Sequence, residues 1–136
     1  MRRRASVGLA VATTVVVAVA AGMIVAERRE QSEQVEARAM AITGGDPHAG
    51  QGKISFYGCG GCHEIPGVER ATGKVGPPLS GISGRVYIAG VRENTPQNLA
   101  QWIQDPHSVD PQTAMPTLGV TPADARDIAA YLYTLD

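Results

Sequence analysis

The sequence predicts an all-α domain of about 90 residues, preceded by a single N-terminal transmembrane helix. Three observations carry that prediction. Helix starts are signalled at Asp46-Pro47, Thr95-Pro96 and Thr121-Pro122, each a capping side chain followed by proline at the first helical position. Almost nothing alternates with the period of two that a strand requires, apart from a few residues around Tyr87. Ahead of all this, residues 5–26 form an unbroken uncharged run.

That run, ASVGLAVATTVVVAVAAGMIVA, makes about 33 Å of helix at 1.5 Å per residue, enough for a hydrocarbon core of about 30 Å. A cleaved signal peptide is the competing reading, because Ala18-Val19-Ala20 fits a small-residue cleavage site. The apolar stretch continues beyond it, which favours an uncleaved anchor over residues 1–26. Arg2, Arg3 and Arg4 before the span are balanced by Arg28, Arg29 and Arg38 behind it, so charge leaves the orientation open. Residues 27–45 read as a stalk. They hold neither glycine nor proline until Gly44-Gly45, a pair that marks a hinge before the domain at 46–136.

The first helix of the domain is expected to run from Pro47 into the cysteines. The second, PQNLAQWIQD, places Leu99, Trp102 and Ile103 on one face and ends at Pro106. The third, PADARDIAAYLYTL, carries Ile128, Tyr131, Leu132 and Leu135 on one stripe. Between the first two lie long turns rich in glycine and proline, and loops of that length in so small a domain need something to wrap around. The chain has only six aromatic residues, so an apolar object in the middle would complete the core. Residues 44–136 carry six basic against nine acidic side chains, with no basic cluster, which gives nucleic-acid binding no support.

The only cysteines, Cys59 and Cys62, stand in FYGCGGCHEI with His63 directly after the second. Two cysteines cannot make a disulfide framework. A redox dithiol would sit near a βαβ pattern, and none is present. Structural zinc needs about four ligands, and the chain's two cysteines and three histidines include no second pair at a finger spacing. C-x-x-C-H is the signature of covalent c-type haem attachment. One helical turn lets the two thiols reach the two vinyl groups, and His63 can then offer its imidazole to the iron. For the second axial position, Met115 is the one methionine of the folded part, in a polar, proline-flanked loop that suits a ligand better than a core residue. His107 and His48 are weaker candidates.

With these residues in place, the chain resembles class I cytochromes c over residues 46–136, in particular the membrane-anchored bacterial mono-haem type. The resemblance implies a small class I fold wrapped around one covalent haem c, with His63 and Met115 as iron ligands and thioethers at Cys59 and Cys62. Gly52 with Phe56 looks like the family's Gly-x-x-x-aromatic on the first helix, where the glycine lets the last helix cross closely, with Tyr131 at the matching aromatic position. GPPL resembles the family's Gly-Pro-x-Leu loop, so the resemblance assigns Pro77 the carbonyl that holds the proximal histidine and Leu79 a place on the haem face. Arg85 and Tyr87 would lie near a propionate. Trp102 stands where many relatives have tyrosine, and would reach a propionate or wall the pocket. The lysine-rich docking face of mitochondrial relatives is missing.

What the resemblance implies is a one-electron carrier and not an enzyme; no general base, nucleophile or substrate pocket is legible. Its partners would be a quinol-oxidising complex or dehydrogenase as donor and a terminal oxidase as acceptor. The protein would be a single-pass inner-membrane protein with its haem domain facing the periplasm. The alternatives are a fixed cytochrome c subunit of a larger redox complex and a haem-based gas sensor.

Overall fold

The computed structural model describes residues 14–135 in full and the helical backbone from Arg2. Five α-helices and one short hairpin are present among the described residues: α1 (Arg2–Thr43), α2 (Pro47–Phe56), β1 (Tyr87–Ile88), β2 (Arg92–Glu93), α3 (Pro96–Gln104), α4 (Pro106–Val109) and α5 (Pro122–Leu132). The chain divides into two compact units, Met1–Gln34 and Val35–Asp136. Among the described residues no helix is long and apolar enough to cross a membrane. The N-terminal part of the span read over residues 5–26 lies outside the fully described residues.

Local chemistry starts each helix of the second unit. Asp46, Thr95 and Thr121 cap α2, α3 and α5, their side chains accepting from the backbone N–H of His48, Asn98 and Asp124. α4 begins in the same way, with Asp105 accepting from Ser108 and Pro106 at the first position. The proline read as a stop therefore also starts a new helix. α2 does not run into the cysteines. It ends at Phe56, and Gly58 turns the chain with φ +72 before a 3₁₀ turn at Cys59–Gly61. The strand-like residues around Tyr87 form an antiparallel hairpin, with Tyr87 opposite Glu93 and Ile88 opposite Arg92.

α2 and α5 share the most extensive helix contact, and α3 packs on α5. Ile54 from α2, Leu99 and Ile103 from α3, and Ile128 and Leu132 from α5 meet in one core. The glycine that permits the α2–α5 crossing is Gly50, not Gly52. A Cβ on Gly50 would collide with the backbone of Asp127, whereas one on Gly52 meets nothing within 4 Å. Ile54 lies one turn on from Gly50 and is buried, while Phe56 is 78 % exposed. Two positions along a helix turn the side chain to nearly the opposite face, so the motif sits two residues earlier than the sequence suggested.

The second unit also takes in the last turns of α1. Ala39 is buried at 1 % exposure, and the Thr43 hydroxyl donates to the Ala39 carbonyl at 2.7 Å and accepts from Gly45 N at 3.1 Å. Gly44-Gly45, read as a hinge, is a packed turn. A Cβ on Gly45 would collide with the backbone of Arg126, and Asp46 N donates to Asp127 Oδ1 at 2.8 Å. Glu36 and His48 approach to 3.1 Å across the same turn.

Candidate functional site

The 3₁₀ turn, the loops between α2 and β1, the hairpin, α3 and the loop before α5 surround a largely apolar cavity of about 520 Å³, within the usual size of a cofactor site. The nine residues singled out as site candidates all border it: Cys59, Cys62, His63, Pro77, Leu79, Arg85, Tyr87, Trp102 and Met115. Ile54, Leu99, Ile128 and Leu132 complete the greasy lining. His48 and His107, the weaker ligand candidates, are not among the lining residues.

The proximal side is built from backbone hydrogen bonds. Cys62 N and His63 N both donate to the Cys59 carbonyl, at 3.2 and 3.0 Å, which closes the turn and presents both thiols and the imidazole together. Both cysteines are free. Gly73 N donates to the Gly60 carbonyl at 3.0 Å and Gly76 N to the Cys62 carbonyl at 2.8 Å, so the following loop is laced to the turn. His63 Nδ1 lies 2.7 Å from the Pro77 carbonyl. A carbonyl only accepts, so Nδ1 carries the proton, and in the neutral ring Nε2 keeps a free lone pair. Gly76 packs flat against that ring, where any Cβ would overlap the imidazole atoms. Sequence reasoning gave Gly76 no role of its own, although it heads the GPPL motif.

Further round the wall, Arg85 Nη2 donates to the carbonyls of Pro78 and Ser80 at 2.5 and 3.0 Å. Arg85 thus braces the loop that carries Pro77 and Leu79. Asn94, also missed in the sequence, holds the backbone of this segment by donating from Nδ2 to the carbonyls of Ile82 and Arg85. Tyr87 is 59 % exposed, whereas Trp102 is buried at 8 %. Met115 is half-buried, its N–H donating to Thr113 Oγ1 at 3.2 Å.

Burial pushes the Cys59 thiol above its ordinary value. A nucleophilic redox dithiol needs the opposite shift, because the thiolate is the reactive form. Nor do three or more His, Cys, Asp or Glu side chains gather as a metal cluster among the described residues. The donor set fits a covalently held haem instead: two thiols on one short turn, an imidazole with its far nitrogen fixed by a carbonyl, a thioether, and apolar walls.

The Cytochrome c family model matches residues 48–136. Two relatives described as "Cytochrome c oxidase subunit 2" are each 36 % identical to the chain. The protein from Alkalihalophilus pseudofirmus aligns over 90 residues, 64 % of this chain and 25 % of its own length. The one from Bacillus sp. strain PS3 aligns over 73 residues, 52 % of this chain and 20 % of its own length. The chain therefore spans a quarter or less of these relatives. No solved structure matches.

Proposed function

Because this chain belongs to the cytochrome c family as a class I c-type cytochrome, we propose that it is a one-electron carrier with a single haem c, bound through Cys59 and Cys62 and ligated by His63 and Met115. The observation that carries this reading is the 2.7 Å approach of His63 Nδ1 to the Pro77 carbonyl. It leaves the other imidazole nitrogen free as a donor in a cavity that Met115 also borders. The haem, when bound, supplies reversible one-electron chemistry. The protein does the rest. Pro77 holds the imidazole in one tautomer and orientation, Leu79 and the core side chains exclude water, and Met115 offers a neutral sulfur that favours the reduced state. Arg85, Tyr87 and Trp102 are suited to the propionate end. The Trp102 indole is a donor only, and no protein acceptor meets it among the described residues.

We place the protein at the cell inner membrane, held by residues 1–26 with its haem domain in the periplasm, because the run 5–26 is uncharged and haem attachment in this family takes place outside the cytoplasm. Its electrons would come from a quinol-oxidising complex or dehydrogenase and pass to a terminal oxidase. The subunit 2 relatives support an oxidase as the acceptor, and they equally favour a second reading, a fixed subunit of such a complex.

The test begins with protein made alongside a haem-attachment system. A covalent haem adduct in the mass spectrum of denatured protein is expected, and its absence would reject the reading. Met115→Ala should remove the sulfur-to-iron charge-transfer band, lower the potential and admit carbon monoxide to the reduced iron. Carbon monoxide binding by the unmutated reduced protein at neutral pH would favour a gas sensor over a carrier.

A further inference from the structure

We propose that Thr117 is a positioning residue for Met115, latching the distal loop through Asp105 and His107. The inference rests on the reading of Met115 as the sixth ligand. Its motive is how little else holds the loop. Among the described residues, no backbone N–H or carbonyl from Pro116 to Val120 is hydrogen-bonded within the protein. The Met115 N–H is satisfied only locally, by Thr113 two residues back. Val120 is buried and pins the far end, and Gly119 beside it has φ +72. Between Met115 and Val120 the chain would otherwise be free to lift.

The Thr117 hydroxyl supplies the missing tie. It donates to Asp105 Oδ1 at 3.5 Å and lies 3.3 Å from His107 Nδ1. Both partners belong to the corner between α3 and α4. Asp105 closes α3 and caps α4, its Oδ1 also accepting from Ser108 N, and buried Pro106 anchors the junction. The hydroxyl can accept from an Nδ1–H of His107 while donating to the carboxylate, so one oxygen joins the ligand loop to both. These contacts are long and exposed, which makes the latch weak. A weak latch suits a ligand that must stay in place through electron transfer, yet it sets how often the iron opens.

The experiment compares holoprotein carrying Thr117→Val, Thr117→Ser and Met115→Ala. The readouts are the charge-transfer band against temperature and the rate at which imidazole binds the oxidised iron, which opening of Met115 limits. Thr117→Val should raise that rate about twofold, the low end of what one hydrogen bond contributes, and weaken the band at lower temperature. Thr117→Ser keeps the hydroxyl and should restore both. If Thr117→Val matches the unmutated protein while Met115→Ala opens the iron, the latch is wrong. If Thr117→Ser is as open as Thr117→Val, the methyl and not the hydroxyl matters, and the latch is again wrong. If Met115→Ala changes neither readout, the ligand assignment fails, and the latch with it.

Discussion

Gly50 and Gly52 lie two positions apart on α2 and meet opposite surroundings. Gly50 lets the backbone of Asp127 come into contact, whereas Gly52 faces open space. Adding a methyl at each should therefore move stability in opposite directions. Gly52→Ala removes backbone freedom from the unfolded chain and should stabilise by about 0.5–1 kcal/mol. Gly50→Ala forces α2 from α5 and should cost about 1–3 kcal/mol or more. Denaturant unfolding of the two variants measures both, and equal shifts would contradict the crossing described above. Gly76 gives a sharper test because its neighbour is the His63 ring. Gly76→Ala must tilt that imidazole or lift the loop carrying Pro77. The variant should keep its thioethers yet show an altered axial-ligand spectrum and a shifted potential, readable by voltammetry.

Among the elements, α2 and α5 are joined by charge as well as by packing. Asp124, in the first turn of α5, accepts from Lys53 Nζ at 2.8 Å and from the Tyr57 hydroxyl at 2.7 Å. Those hydrogen bonds, Lys53 foremost, hold its carboxyl below the ordinary 3.8. In return the bond to Asp124 raises Lys53 above 10.5. The lowered carboxyl stabilises the fold above 3.8, and that contribution is lost as pH falls from there through its folded value. The raised lysine stabilises below 10.5, and that contribution is lost as pH rises through its folded value. Asp124→Asn should thus flatten the unfolding midpoint at both pH extremes, and an unchanged acid limb would refute the coupling. The helices themselves were legible because a cap and a proline act within one turn: all three starts read from such pairs are present. α4 carries the same signal at Asp105-Pro106, but a proline after a helix pattern also reads as a terminator. The candidate site residues that the sequence singles out by their chemistry, the thiols, the imidazole and the thioether, all border the cavity. Gly50, Gly76 and Asn94 act through backbone neighbours far along the chain, and no local pattern in a single sequence displays those.

At the scale of the whole molecule, the compact unit begins at Val35, so the end of α1 is structural. A chain starting at residue 44 lacks Ala39 and the Thr43 hydrogen bonds, whereas one starting at Val35 keeps them. The shorter form should unfold at a lower temperature, by about 1–3 kcal/mol of stability; identical melting curves would show that these turns contribute nothing. Residues 44–136 carry three more acidic than basic side chains, so steering towards an acidic partner site is weak. On the proposed function, electron transfer to an oxidase acceptor should then respond mildly to ionic strength and strongly to loss of residues 1–34, because a membrane tether would raise the local concentration of partners. Rates measured across a salt series with and without that segment decide the matter. A steep fall with salt, together with indifference to the segment, would reject a tethered carrier. The packed turn at Gly44-Gly45 has a mechanical meaning too. Asp46 is bonded to Asp127 on α5, and the very next residue, Ile128, lines the cavity. A load applied to the end of α1 has no swivel in which to dissipate at these glycines, and one of its paths runs through the Asp46–Asp127 hydrogen bond into the wall of the cavity.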